Sequence, residues 1–306
     1  MIKYAITAAI LKAFSLNKWT KKIYRTLGNT IGMERRIRSG IPSNYLNFAK
    51  LILQLCRKYN CVKNDNKLLE IGTGWLHWGA IVLKLFYDVQ ITLLDVWDNR
   101  QLDALIHYIK ILDKLIDDRI KMSTNESARI HRLLKTISKV KSFPELYDIL
   151  DFQYVINPNG KLDNFPKEYF NLIFSYNVLE HISKDILNEN IRSFNHLLKL
   201  GGYSIHTIDI GDHLSYYDLS VGKKNYLKYS DKMWKEWFEN EVQYFNRVQY
   251  QEWLTLFRNS GFLLLEEKSN YCNVLPKLVD DKYRNLNIKE LSCVNFTVVH
   301  KKIYDL

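Results

Sequence analysis

Residues 67–80, KLLEIGTGWLHWGA, narrow the fold more than any other stretch. An apolar run ends in an acid, two glycines follow one residue apart, and a helical pattern then begins. A buried strand that turns sharply into a helix is the opening unit of a parallel α/β sheet. Gly72 and Gly74 permit the turn and let a ligand come close to the backbone. The alternation continues with VQITLLDV (89–96), FQYVI (152–156), FNLIFSYN (170–177) and YSIHTIDI (203–210) as further strands. The helical segment at 182–200 is stopped by Gly201–Gly202. YQEWLTLFRNSG (250–261) reads as a last helix, and FLLLEEK and LSCVNFTVVHKK close the sheet.

The turn also selects its ligand. A dinucleotide site of the G-x-G-x-x-G type needs a third glycine at position 77, where His77 stands, and no Gly-Lys-Ser/Thr loop is present. Bulky Trp75 occupies the middle of the turn, which favours a ligand without phosphates. Asp95 ends the second strand, where a carboxylate accepts both ribose hydroxyls of a nucleoside and repels phosphate. Glu70, just before the turn, suits a cationic group. An adenosine with a cationic tail meets these conditions, and S-adenosylmethionine is such a molecule.

The segments LLEIGTGW, LLDVWDN, FNLIFSYNVLEHI and LKLGGYSIHTIDIGDH resemble, in order and spacing over residues 67–302, the successive motifs of the class I S-adenosylmethionine-dependent methyltransferases. The resemblance implies an α/β, Rossmann-like sheet of seven strands, mostly parallel, with the last inserted antiparallel. It implies that Gly72, Thr73 and Gly74 line the methionine moiety, with Trp75 where a third glycine is usual. Asp95, with Val96 beside it, would hold the ribose, and Asn177 would border the methyl donor. In the adenine loop Lys161 stands where an acid is common, and Asp163 is the substitute. YRTLGN, EIGTGW, DIGDHLSYYD and YFNRVQYQEWLTLFRNSGF are similar to methyltransferases of bacterial surface-glycan and secondary-metabolite gene clusters. The expected reaction is O-methylation of a sugar, glycan or other small hydroxylated acceptor. The alternatives are N- or C-methylation of a small metabolite, or a non-catalytic S-adenosylmethionine-binding partner subunit.

Methyl transfer to a hydroxyl requires alignment and removal of one proton. Candidate bases belong at the carboxyl ends of the strands, where open α/β sheets bind ligands. His213 is the expected base, supported by Asp209, with His181 as the alternative. Asp212, Asn246, Arg247 and Tyr217 are the expected acceptor-binding residues. A divalent metal held by Asp209, Asp212 and His213, joined by Glu180, is a weaker reading. It is not predicted, because no His pair at ligand spacing supports it.

Charge divides the chain. Residues 1–50 carry ten Lys/Arg against the single acid Glu34, which is most of the net +11. Residues 1–66 therefore read as a basic helical arm or cap, and residues 67–302 as the methyltransferase domain, with inserts at about 117–151 and 211–247 that shape the acceptor pocket. Such an arm attracts an anionic membrane surface or solvates a helix face. IKYAITAAILKAF is too short an apolar run to span a bilayer. Nucleic acid is disfavoured as a partner, since NVLE stands where DNA-modifying relatives carry Asn-Pro-Pro-Tyr. Residues 203–253 hold seven Tyr, three Trp and two Phe, about twice the chain-wide aromatic share. They suit either a surface that grips a sugar ring or apolar tail, or a private core of the insert. Cys56, Cys61, Cys272 and Cys293 form no metal or disulfide pattern, which agrees with a reducing, cytoplasmic compartment, peripheral to the membrane if the arm binds it. Oligomeric state is not legible.

Overall fold

The structure, a computed structural model, describes residues 2–304. Seven strands form one sheet: β1 (Lys67–Ile71), β2 (Gln90–Asp95), β3 (Phe152–Ile156), β4 (Phe170–Tyr176), β5 (Leu198–Asp209), β6 (Phe262–Tyr271) and β7 (Cys293–Lys302). Their order is β3-β2-β1-β4-β5-β7-β6. Only β7 runs against the rest, paired antiparallel with both β5 and β6. This is the Rossmann-like, mostly parallel sheet expected from the sequence. The strand order reverses between β1 and β4, and the carboxyl ends of those two strands open a crevice.

Helices cover both faces. Five lie on one side: α3 (Ser43–Tyr59), α4 (Trp78–Phe86), α5 (Leu102–Arg119), α6 (Thr124–Ile137) and α7 (Phe143–Leu150). They bury Phe48, Ile52, Ile81, Leu105, Ile109 and Leu134 against Leu68, Leu93 and Phe174 of the sheet. On the other face, α8 (Lys184–Leu197) and α10 (Tyr250–Asn259) bury Ile191, Phe194, Trp253 and Phe257 against Phe170, Ile173 and Val298.

Two boundaries differ from the sequence reading. Helix α3 belongs to the α/β body, since Phe48, Ile52, Leu53 and Cys56 are core residues; the arm proper is α1 (Ile2–Phe14) and α2 (Lys18–Arg38). Residues 117–151 do not line the cleft at the glycine turn. Ile130, Ile137, Leu146 and Leu150 go into the first core, because their helical spacing gives α6 and α7 one continuous apolar face.

The second insert keeps its own core. Leu214, Tyr226, Trp234 and Phe245 pack with Tyr283, and α1 closes this cluster with Tyr4, Ala8 and Leu11. Helix α9 (Asp231–Trp237) lies within the insert. The aromatic enrichment there is mainly structural: the rings pack on one another, as with Tyr226–Phe245 at 5.6 Å and Trp234–Phe245 at 5.3 Å. No described helix is long and apolar enough to cross a membrane.

Candidate functional site

The wall built on β1 is a glycine turn fixed from below. Gly72 and Gly74 both take left-handed backbone, φ +67° and +61°. The amides of Gly72 and Thr73 donate to Leu94 O at 2.8 and 3.2 Å, tying the turn to β2. A Cβ on Gly72 would stand 2.5 Å from both methyls of Val178, so the turn and the end of β4 approach as closely as glycine allows. Asp95 sits beneath. Its Oδ2 accepts from the Gly74 amide at 2.9 Å and its Oδ1 from the Val96 amide at 2.7 Å. Burial raises its pKa, and these amides oppose the rise.

A buried relay continues from the turn. The Thr73 hydroxyl donates to Glu70 Oε2 at 2.7 Å and lies 2.7 Å from His77 Nδ1. His77 Nε2 lies 2.8 Å from the Tyr147 hydroxyl. Since the Thr73 proton goes to Glu70, the consistent assignment has His77 Nδ1–H donating to Thr73 and Nε2 accepting from Tyr147. Burial lowers His77 to about 3, so the ring is neutral. Burial pushes Glu70 up to about 8, against the Thr73 hydroxyl and the Gly79 and Ala80 amides that its carboxylate caps. Glu70 thus borders the cleft with much of its bonding capacity already used. His77, which excluded a dinucleotide in the sequence, braces the turn through α7. That bond is the contribution of residues 117–151 to the site.

The cleft itself has a volume of about 260 Å³ and is open to solvent on one side, just under the ~300–1,000 Å³ usual for enclosed small-molecule sites. Glu70, Gly72, Thr73, Gly74 and Trp75 line it opposite Asn177, Val178 and His181, with Tyr45, Phe48 and Tyr176 as an aromatic wall. Phe48 and Tyr176 stack at 4.3 Å. Asn177 adopts φ +53°, and its amide donates to Thr207 O at 2.8 Å, so the chain turns into the cleft as β4 ends. The aromatic wall was missed in the sequence, because α3 had been assigned to the arm.

Beyond Asn177 the chain makes a short 3-10 turn, Leu179–His181, and β5 leads into a second, His213–Tyr216. The two turns bring His181 and His213 together, ring centroids 5.0 Å apart. Glu180 joins them, only 1% exposed, and neither carboxylate oxygen has a hydrogen-bond partner. One ligand atom from each of Glu180, His181 and His213 lies within 4.8 Å of the others. Burial, and then the charge of Asp209, holds the Glu180 carboxyl well above the usual range, and its own amide and that of Asp209, which face it without hydrogen-bond geometry, oppose the rise only in part. Burial and then His181 lower His213 to about 4. His181 Nδ1 bonds Tyr244 O at 2.6 Å; part of the ring is open to the cleft, yet the protein around it lowers its pKa. Asp209 accepts from the Gly211 amide at 2.8 Å and from the Tyr216 hydroxyl. The acid-base groups expected near strands four and five do converge, with Glu180 nearer the two histidines than Asp212.

Several expected site residues lie elsewhere. Asp212 is buried behind the cluster, where its Oδ2 accepts from the Tyr4 hydroxyl at 2.8 Å and its Oδ1 from the Leu214 amide at 3.0 Å. The proposed Asp209–Asp212–His213 metal set is therefore not assembled. Asn246 donates from its side chain to Leu179 O and Ile182 O at 3.0 and 3.1 Å, and its amide donates to Glu180 O at 2.8 Å. It brackets the Glu180 turn rather than an acceptor. Arg247 is buried against Trp234 and paired with Asp231 at 2.5 Å. The Tyr217 hydroxyl accepts from Gln243 at the arm, far from the glycine turn's lining. Asp163 does not line the cleft: Leu162 takes the buried side of the loop and turns Asp163 outward to a separate recess against α8. Val96 is exposed, near Gly160 of the same loop.

The arm reaches the site too. From α2, Asn29 accepts from Trp75 Nε1 at 3.0 Å, Arg36 stacks on the Trp75 ring and donates to Gln101 at 3.0 Å, and Arg25 covers Trp97. The inner face of α2 therefore lies over the glycine turn.

No family model matches the chain, and no curated protein matches it. Solved structures do. A Haemonchus contortus phosphoethanolamine N-methyltransferase 2, in complex with phosphomonomethylethanolamine and S-adenosylhomocysteine, is 13% identical at a TM-score of 0.44, over 82% of this chain and 52% of that one. The [4+2]-cyclase SpnF is 13% identical at 0.45, over 87% and 84%. An S-adenosylmethionine-dependent methyltransferase of Methanosarcina mazei is 14% identical at 0.41, over 81% and 97%.

Proposed function

We propose that this chain is an S-adenosylmethionine-dependent methyltransferase acting on a hydroxyl of a sugar, glycan or other small hydroxylated acceptor. The observation that carries the reading is the cleft: a glycine turn with the Asp95 carboxyl beneath it forms one wall, and Asn177, Val178 and His181 form the other, with His213 packed behind His181. The residues suit the cofactor. Gly72, Thr73 and Gly74 would hold its methionine end, with Trp75 beside them. Asp95 keeps acceptor capacity for ribose hydroxyls, since a carboxylate offers about four acceptor sites. When bound, the cofactor supplies an electrophilic methyl on a sulfonium and departs as a neutral thioether. Transfer to a hydroxyl releases one proton, which His181 or His213, both held uncharged at neutral pH by burial, would accept. Asp209 orders that corner through Tyr216 and Gly211.

We also propose that the arm meets an anionic membrane surface. Trp19, Ile23, Leu27 and Ile31, four apart on α2, and Ile2, Ile6 and Ile10 on α1 are exposed, set among the basic residues. An exposed apolar line flanked by lysines is how a helix lies in a membrane interface.

The test is calorimetric titration with S-adenosylhomocysteine, alongside Asp95→Ala, followed by acceptor screening for thioether release. Micromolar binding that the variant loses, with turnover on a hydroxylated acceptor, is expected. Absence of binding to the folded wild-type protein overturns the reading. Binding without turnover on any hydroxyl or amine acceptor would favour a non-catalytic partner subunit.

A further inference from the structure

Behind the cleft wall beyond Asn177 lies a buried carboxylate that no donor reaches in hydrogen-bond geometry, although its own amide and that of Asp209 face it. Burying an ionisable group without a partner is costly, and native structures leave few such groups unexplained. Both Glu180 oxygens are unpartnered at 1% exposure. The surrounding protein does not neglect this turn: Asn246 pins it through Leu179 O, Ile182 O and Glu180 O. The turn is held firmly while its carboxylate is left open toward two imidazoles.

Those imidazoles are presented as ligands. Tyr244 O can only accept, so His181 Nδ1 carries the proton of that 2.6 Å bond and Nε2 keeps a lone pair. A backbone carbonyl taking the far N–H is the usual support of a metal-bound histidine. The His213 ring is fixed by stacking, with Phe245 at 4.6 Å and Tyr216 at 5.7 Å.

We propose that Glu180, His181 and His213 bind one divalent first-row transition-metal ion at the acceptor end of the cleft. Two imidazoles and a carboxylate suit that class of ion better than magnesium or calcium, which favour all-oxygen sets. Ligands at ~2.1 Å from an ion lie ~3.0–3.4 Å apart. Separations of up to 4.8 Å exceed this by at most ~1.4–1.8 Å, a gap that rotation of the unbonded Glu180 carboxylate and small shifts of the two rings would close. Three protein ligands leave positions free, and His181 places them on the cleft. The use of the ion, though not its binding, rests on the methyl-transfer reading: an acceptor hydroxyl bound to it loses its proton near neutral pH, and the proton leaves to solvent through the open cleft. His213 would then be a ligand rather than the base.

The experiment is titration of metal-free, full-length protein with Co²⁺ and Zn²⁺, with Mg²⁺ for contrast, read by calorimetry, the visible spectrum of Co²⁺ and thermal unfolding. One Co²⁺ or Zn²⁺ per chain should bind at micromolar or lower Kd, with Mg²⁺ at least 100-fold weaker. Glu180→Gln and His181→Ala should each weaken Co²⁺ at least tenfold and remove its rise in Tm. Glu180→Gln should also leave the metal-free protein as stable as wild type or more so, because the buried carboxylate has no partner to lose. Failure to bind Co²⁺ or Zn²⁺, or binding that both variants retain, overturns the proposal. S-adenosylhomocysteine binding, measured on the same preparations, reports separately on the methyltransferase reading.

Discussion

The two walls of the cleft are assembled from different lengths of chain. Glu70, Gly72, Thr73, Gly74 and His77 lie within residues 70–77, and Asp95 supports them from the adjoining strand. The opposite wall takes Glu180 and His181 from one turn and His213 from another, with a bracket at Asn246 and a prop at Tyr4, 208 residues from the Asp212 it touches. The first wall rests on the sheet, with α2 of the arm touching it only from outside, at Trp75. The second depends on an insert that depends in turn on the arm. Damage to the second should spare cofactor affinity, whereas damage to the first should not.

The largest separation is expected at His213. His213→Ala should lower turnover on the best hydroxyl acceptor by roughly 100- to 10,000-fold, the range for losing an acid-base group, whether the ring takes the proton itself or holds the ion that acidifies the acceptor. S-adenosylhomocysteine affinity should stay within about twofold. A joint loss in calorimetry and turnover would mean that the walls are one cooperative unit.

Gly72→Ala is the converse. The added Cβ meets the Val178 methyls at 2.5 Å and is held at φ +67°. S-adenosylhomocysteine affinity should fall about 10- to 100-fold. Adding Val178→Ala should recover part of it by removing the two methyls, while leaving a tight 3.0 Å contact with the Cβ of residue 178 and the backbone strain, of order 1 kcal/mol. No recovery in calorimetry would place the whole effect in the backbone.

The donor wall was legible because its chemistry is local. A strand, a glycine turn and an acid at the next strand end fix one another over a few residues, and Asn177 follows from the same rule. Legibility failed where a polar side chain's partner is remote. Asp212, Asn246 and Arg247 read as acceptor ligands because the partners that take the rest of their bonding capacity lie far along the chain. Those partners are Tyr4, the Glu180 turn and Asp231, met once the insert folds around its own aromatic core. Asp163 failed for a narrower reason, the inward turn of Leu162 beside it. Glu180 was seen only as an adjunct, since spacing along a chain cannot show that a carboxylate will be buried without a partner.

The arm offers a smaller effect that tests whether the acceptor wall extends to a membrane. Ile23→Glu with Leu27→Glu inserts charge into the exposed line on α2. Binding to anionic phosphatidylserine vesicles, followed by sedimentation, should weaken about tenfold or more, given ~1 kcal/mol per basic residue near the surface and the lost apolar insertion. Neutral phosphatidylcholine vesicles should bind the wild-type protein poorly. Equal pelleting of wild type and variant would remove the membrane from the proposal.

The last effect falls on stability rather than on turnover or binding: a pH dependence at the prop beneath the acceptor wall. Burial pushes Asp212 up to about 7 from an ordinary 3.8, opposed by the Tyr4 hydroxyl and the Leu214, Tyr226 and Ser215 amides. The folded chain holds this proton more tightly than the unfolded chain. The resulting stability is complete below pH 3.8 and is lost as pH rises to about 7, by at most ~1.4 kcal/mol per pH unit. Asp212→Asn has no such proton. Its Tm relative to wild type should therefore climb between pH 4 and 7 and level off above, while S-adenosylhomocysteine affinity at neutral pH stays unchanged. Parallel Tm profiles would mean that Asp212 is ionised throughout and that α1 docks on a charge. Altered cofactor affinity would instead show that the prop beneath the acceptor wall reaches the glycine turn, and the independence of the two walls would be lost.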